Sequence, residues 1–122
     1  MKIVEDNYQI LCIMDGPMQL ILVYLSRNCR KEHVVQPLKK ILTPDCIQII
    51  TGDFNFYISE KNSLTTFFNI KNLEQLVDVP THDMRRTINH CYVPASLKEK
   101  FQLMYHSPYY SDHDALCINF DI

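Results

Sequence analysis

The sequence predicts an α/β (α+β) domain with one mainly antiparallel mixed sheet and about two helices on one face of that sheet. Three observations carry this prediction. Two apolar runs flank a turn signal near the N-terminus, apolar residues recur at helical spacing in residues 33–42, and apolar residues alternate in residues 115–120. At 122 residues, with 47% hydrophobic and 21% charged, the chain suits one small globular domain and is too apolar for a disordered protein.

The predicted elements alternate between strands and helices along the chain. A hairpin that turns at residues 15–17, Asp-Gly-Pro, comes first. The first helix contains Pro37, which costs little only in the first helical turn, and the second helix has Ser63 as its expected N-cap. The predicted strands are residues 8–13, 19–24, 47–51, 76–77, 87–93, 102–105 and 115–120, and the predicted helices are residues 33–42 and 63–72.

The most informative motif is Gly-Asp-Phe-Asn at residues 52–55, directly after a predicted buried strand. Glycine lets the backbone turn there, so the strand delivers the carboxylate of Asp53 to the C-terminal edge of the sheet. We expect Asn55 on the same side of the extended chain, where its amide can hold the group that Asp53 activates by donating or accepting a hydrogen bond. Asp112 and His113 add a carboxylate and an imidazole, which can offset phosphate charge and move protons near neutral pH. Together the motifs predict a phosphodiesterase site.

These residues resemble the endonuclease/exonuclease/phosphatase superfamily, whose members cleave phosphoester bonds with a divalent metal in a four-layer α/β/β/α sandwich. The strand that ends at Tyr24 resembles the family strand that carries a site tyrosine, and residues 80–90 resemble the segment ahead of the final strands. The pieces follow the family's order from about residue 8 to residue 120. On this resemblance the chain is the rear half of the sandwich, most similar in appearance to the endonuclease-like domains of mobile elements.

The resemblance implies a role for each site residue. Asp53 would activate or orient the attacking water, Asn55 would hold that water, and Tyr24 would orient the phosphate that His113 contacts. Asp112, together with Asp53, would bind Mg²⁺ or Mn²⁺, and magnesium suits a site of oxygen ligands. The implied reaction is metal-assisted hydrolysis of a phosphodiester.

Two departures from the family predict weak activity. The family's first half supplies an asparagine and a metal-binding glutamate, and we expect this chain to be a single partial domain over residues 1–122 that lacks that half. Asn89 stands where the family has an aspartate that pairs with the site histidine. An amide cannot stabilise an imidazolium as a carboxylate does. We therefore expect weak metal binding and weak or no cleavage by the chain alone.

Two classes of function stay open. The first is a truncated or degenerate Mg²⁺-dependent phosphodiesterase whose ancestral activity is that of a DNA endonuclease. The second is a non-catalytic protein-interaction module that retains half of the fold. A sheet face without a partner sheet would expose an apolar patch and favour self-association or a protein that covers it.

Charge and cysteine content narrow the partners and the compartment. The net charge of −2 gives no general attraction for a polyanion, so DNA binding would need local cationic clusters. One cluster is Arg85 and Arg86, which would contact substrate phosphates or lie in a solvated loop. Another, formed by Arg27, Arg30 and Lys31, is interpreted as a solvated loop.

The remaining sequence signals concern histidines, cysteines and apolar runs. His82 and His90 are expected to be structural. Five cysteines at irregular spacing form no zinc pattern and favour a reducing compartment. No run reaches the roughly 18 apolar residues of a membrane span. We therefore expect an intracellular protein, nuclear or cytoplasmic, that does not contact membranes.

Overall fold

The computed structural model describes residues 1–77, 88–106 and 115–121. In these ranges the chain forms a six-stranded sheet, a two-stranded sheet and two α-helices. The elements are β1 (Lys2–Val4), β2 (Tyr8–Asp15), β3 (Met18–Leu25), α1 (Lys31–Ile41), β4 (Ile47–Asp53), α2 (Ser63–Ile70), β5 (Leu73–Gln75), β6 (Asn89–Pro94), a 3₁₀ helix (Ala95–Lys100), β7 (Phe101–His106) and β8 (Ala115–Phe120). None of the helices in the described ranges has the length and apolar character needed to cross a bilayer.

The six-stranded sheet has the order β1-β2-β3-β4-β6-β5. Its pairs are antiparallel except for β3 and β4, which run parallel and are connected through α1. A parallel pair needs such a crossover because the chain must return to the same end of the sheet. The predicted α+β class and mainly antiparallel mixed sheet are confirmed. The last two strands differ from expectation, because β7 pairs with β8 in a sheet of their own.

Three local predictions need correction. The N-cap of α2 is Asn62, whose side chain accepts hydrogen bonds from Leu64 N and Thr65 N, so Ser63 is the first helical residue. Pro37 lies in the second turn of α1. The carbonyl of His33 loses its helical donor there, and His33 is exposed, so water can satisfy that oxygen. The strand expected at residues 76–77 lies earlier, at β5.

Both helices cover one face of the six-stranded sheet. This face carries the alternate residues of β3 that are buried, and α1 and α2 bury their own apolar stripes against it, as the helical spacing predicted. The core on this side contains Ile10, Ile21, Val23, Leu25, Val34, Leu38, Ile50, Phe54, Leu64, Phe68 and Tyr92.

A buried glutamine joins the end of α1 to the sheet. Gln19 is 2% exposed, and its Nε2 donates to Ile41 O at 2.7 Å. Its Oε1 accepts from Thr43 N and from Gln48 Nε2, both at 3.2 Å. Satisfying a buried amide in this way avoids a desolvation cost of roughly 1–3 kcal/mol. The same bonds fix where the chain leaves α1 and enters β4, the strand that carries Asp53.

The opposite, inner face of the sheet is partly covered. Phe101, Leu103 and Ile118 of the two-stranded sheet pack with residues of β4 and β6 in a second apolar cluster, so the expectation of a wholly bare face is wrong. On β2 and β3 the inner face stays open, where Ile13 is 43% exposed and Leu22 is 37% exposed.

Candidate functional site

Three residues that the sequence singled out lie in one row across the sheet. Tyr24 at the end of β3 pairs in register with Asp53 at the end of β4, and Asp53 pairs with Asn89 at the start of β6. Residues paired in this way project from the same face of a sheet. Tyr24 is 47% exposed, and Asp53 and Asn89 are half-buried. The fold therefore brings a phenol, a carboxylate and an amide to one solvent-accessible edge.

Four other predicted site residues, Arg85, Arg86, Asp112 and His113, lie outside the described residues. The described part of the site is therefore the row of Tyr24, Asp53 and Asn89 together with the loop that follows β4.

Gly52 sets the position of Asp53. Its φ of +147° is one that L side chains rarely adopt, and a Cβ at this position would stand 1.8 Å from the carbonyl oxygen of Val23. Only glycine lets β4 approach β3 so closely at this point. The close approach places Asp53 directly beside Tyr24 in the register.

The loop after Asp53 turns sharply, contrary to the prediction that Asn55 continues the extended chain. Asn55 has φ +52°, a left-handed conformation that asparagine tolerates better than most residues. Its backbone N–H donates to Asp53 Oδ1 at 3.0 Å, so one carboxylate oxygen caps the turn. The Asn55 Nδ2 donates to Leu25 O, which ties the loop to the end of β3. Within the described ranges Asp53 Oδ2 makes no hydrogen bond and can hold a water or a cation.

Phe54 anchors this loop in the helix-side core. The Phe54 side chain is completely buried, and its backbone N–H donates to Ile88 O at 2.8 Å. Its ring stacks on the imidazole of His90 with 4.7 Å between centroids and 15° between planes. The loop therefore carries half-buried polar residues on either side of a buried aromatic anchor.

His90 supports the loop from the buried core. The His90 side chain is fully buried, its Nε2 lies 2.7 Å from Phe56 O, and its Nδ1 lies 2.9 Å from Tyr92 Oη. A carbonyl can only accept, so Nε2 carries the proton and Nδ1 accepts from the Tyr92 hydroxyl. Burial raises the pKa of Tyr92, which keeps that hydroxyl protonated as a donor. This arrangement agrees with the structural role expected for His90.

A cavity of about 550 Å³ opens beside Asn55. The two cations on its wall, Arg27 and Lys31, come from the connection between β3 and α1, and the remaining lining residues are Asn55, Phe56, Tyr57, Glu60 and Ile88. From the sequence alone we expected these cations to lie in a solvated loop. The signal that could have found them is their position after the strand that ends at Tyr24, at the same sheet edge as Asp53.

The donor set near Asp53 is small. Among the described residues, no group of three histidine, cysteine, aspartate or glutamate side chains could hold a metal ion. Mg²⁺ retains several waters and takes only one or two carboxylates, so the free oxygen of Asp53 fits part of such a site. Cys91, two residues after Asn89, is no alternative nucleophile, because burial raises the pKa of its thiol to about 12.

Comparison with known proteins gives one informative result. No protein-family model matches the chain, and no curated protein sequence matches it. Among solved structures it is similar to the endonuclease domain of TRAS1, a telomere-specific non-LTR retrotransposon, with a TM-score of 0.64 and 19% sequence identity. The match covers 93% of this chain and 61% of that structure, so the chain spans less than two thirds of its length. The likeness shows that the chain has an endonuclease-like fold, as the motifs predicted.

Proposed function

We propose that the chain is a degenerate metal-dependent phosphodiesterase of the endonuclease type, with DNA as its ancestral substrate. The observation that carries the proposal is the row of Tyr24, Asp53 and Asn89 at one edge of a sheet. These residues come from distant parts of the sequence, and the fold that joins them is shared with a retrotransposon endonuclease domain.

Each described residue has a role in this proposal. Asp53 has one oxygen bonded to its loop, and its other oxygen would orient the attacking water. Tyr24 is exposed beside Asp53. Its hydroxyl donates a hydrogen bond to the phosphate and so orients that phosphate. By the resemblance, Asp112 and His113, which lie outside the described residues, would add a second carboxylate and an imidazole. A bound Mg²⁺ or Mn²⁺, held by Asp53 and Asp112, would offset the negative charge that builds on the phosphoryl oxygens.

Asn89 explains why activity should be weak. It stands directly across the ladder from Asp53, so it belongs to the site by position. In the resembling enzymes an aspartate at this place pairs with the site histidine. An amide leaves the imidazolium of His113 without its stabilising charge, and such an exchange costs roughly 10⁴-fold in the serine proteases.

The proposal predicts that Asn89→Asp increases activity. We expect the wild-type chain to nick supercoiled plasmid DNA slowly or undetectably in Mg²⁺, and Asn89→Asp to raise the nicking rate at least about tenfold, because a carboxylate stabilises the imidazolium. Adding Asp53→Ala to Asn89→Asp should return the rate to background, since water activation contributes about 10²–10⁴-fold.

Asp45→Ala is the matched control, because it removes the same charge from an exposed turn remote from the row. It should leave the rate unchanged. Rapid cleavage by the wild-type chain would contradict the degenerate site, and nicking that survives Asp53→Ala would contradict the assignment of the site. No cleavage by Asn89→Asp would favour the second candidate.

The second candidate is a non-catalytic module that binds protein through the open part of its inner face. The observation that favours it is the exposure of Ile13, Leu22 and Tyr24 on the same face of β2 and β3. Exposed apolar patches of this kind mark interaction surfaces in soluble proteins.

This candidate predicts self-association through Leu22. We expect the wild-type chain to form dimers in sedimentation equilibrium. Leu22→Lys should shift it to monomer, because burying an unpaired ammonium in an apolar contact costs too much desolvation free energy. Ile70→Lys is the control, since Ile70 is 70% exposed on α2 and lies away from the inner face. A wild-type chain that is monomeric and binds no hydrophobic dye would contradict the candidate.

A further inference from the structure

The cavity beside Asn55 has the composition of a nucleotide-binding groove. Its wall combines two cations, a carboxylate, an amide, an exposed tyrosine and two apolar residues in a volume of about 550 Å³. We propose that this groove binds one unpaired nucleotide of a nucleic-acid strand, with Arg27 and Lys31 on its phosphate and Tyr57 against its base. The inference deepens the proposed function and rests on it, because it places the strand beside Asp53.

The charge of the groove differs in sign from that of the whole chain. Arg27 and Lys31 supply two positive charges and Glu60 one negative charge, which leaves +1, whereas the chain carries −2. Among the described residues, the ion pair within 4 Å joins Lys98 and Glu74, so neither groove cation is neutralised by a carboxylate. Glu60 instead accepts a hydrogen bond from Asn62 Nδ2 at 2.8 Å. The groove is therefore a local attraction for an anion.

The two cations differ in how firmly they are held. Lys31 is half-buried, and its Nζ lies 5.5 Å from the centroid of the Phe56 ring, a cation–π distance. Arg27 is exposed and can adjust to the ligand. The positioned ammonium of Lys31 and the exposed guanidinium of Arg27 can hold one phosphate together.

The aromatic ring indicates a nucleotide in preference to a free phosphate. Tyr57 lines the cavity and is 50% exposed, so part of its side chain is accessible to a ligand. Base stacking on such a ring requires a base that is not held in a duplex. The volume also lies within the usual range for a small-ligand pocket, about 300–1,000 Å³, and exceeds what one phosphate would fill.

Asn55 connects this groove to the row that contains Asp53. Its side chain lines the cavity, and its backbone N–H donates to Asp53 Oδ1. A nucleotide in the groove therefore neighbours a phosphate at Asp53 along the same strand. This geometry predicts preference for DNA that is single-stranded or frayed next to the cut.

The test is fluorescence anisotropy with a labelled single-stranded oligonucleotide and with its duplex, both in EDTA so that nothing is cleaved. We expect the single strand to bind more tightly. Arg27→Gln with Lys31→Gln should lower the slope of log Kd against log salt by about 0.7, because the two cations together neutralise one phosphate of a single strand. Tyr57→Ala should weaken single-strand binding roughly 5- to 150-fold and leave duplex binding unchanged.

Lys39→Gln with Lys40→Gln is the matched control, because it removes the same charge from the exposed last turn of α1. It should leave the salt slope unchanged. An equal loss in this control would show general charge attraction and overturn the inference, as would an unchanged affinity of Tyr57→Ala for the single strand. The two proposals can fail separately. If the nicking assay fails but the binding results are as expected, the proposed catalysis is wrong and the groove remains supported.

Discussion

Gly52→Ala is expected to destabilise the protein by more than about 3 kcal/mol, a large part of the total stability of a domain of this size. A methyl group at this position would stand 1.8 Å from Val23 O, which is a backbone atom and cannot rotate away. The φ of +147° adds strain for any L side chain. Urea denaturation followed by circular dichroism measures the loss.

Gly16→Ala is the control for this prediction. Gly16 also has a positive φ, +57°, but a Cβ there would meet nothing within 4 Å. We expect a cost of only about 1–2 kcal/mol, from the left-handed conformation alone. Equal losses for the two variants would show that the approach of β4 to β3 relaxes and would contradict the role assigned to Gly52.

His90→Leu is expected to cost about 3–5 kcal/mol and to release the loop that follows Asp53. Leucine fills similar space, but it leaves Phe56 O and the Tyr92 hydroxyl buried without the partners they have now, at roughly 1–3 kcal/mol each. The stacking contact with Phe54 is lost as well, at roughly 0.5–1.5 kcal/mol. The stability measurement is again urea denaturation.

Release of the loop has its own readout. Hydrogen exchange at Asn55 N–H, which donates to Asp53 Oδ1, should accelerate more in His90→Leu than the change in global stability requires. Tyr92→Phe is the milder control, because it removes the hydrogen bond at His90 Nδ1 and leaves the one at Nε2, and it should cost about 1–2 kcal/mol. If Tyr92→Phe lowered the free energy of unfolding as much as His90→Leu does, the hydrogen bond from His90 to Phe56 O would contribute nothing to stability.

Elements with strong local signals were predicted well. The hairpin of β2 and β3 follows from two apolar runs and from Gly16, and its turn lies where glycine allows positive φ. The last strand, residues 115–120, was predicted at its observed bounds because its apolar residues alternate over the whole length.

Elements whose position depends on distant partners were predicted less well. The edge strand β1 carries no signal of its own and exists because it pairs with β2. Pro37 was expected in a first helical turn, but packing of Val34, Leu38 and Ile41 against the sheet holds the helix through it. The separation of β7 and β8 into their own sheet follows from packing of their apolar residues on the inner face, which no local pattern records.

Some residues of the candidate site were predicted from the sequence, and others were found only in the structure. Asp53 and Tyr24 were identified from the strands that they end, and the structure places them side by side. The groove of Arg27 and Lys31 was not recognised, because two cations in a loop look alike in sequence whether they face solvent or line a cavity. The carboxylate of Asp53 was assigned to chemistry, and the structure shows that one of its oxygens also caps the loop.

The amino-acid sequence by itself determined which residues can form strands and helices, where glycine must stand, and which side chains carry acid, amide and phenol chemistry. These properties are local, since they depend on side-chain volume, backbone freedom and periodicity. Only the tertiary structure decided that Tyr24, Asp53 and Asn89 share one row, that His90 supports the loop from the core, and that two cations face one cavity. The physical reason is that register and packing bring together residues far apart in the chain, and their energies depend on partners that no single segment contains.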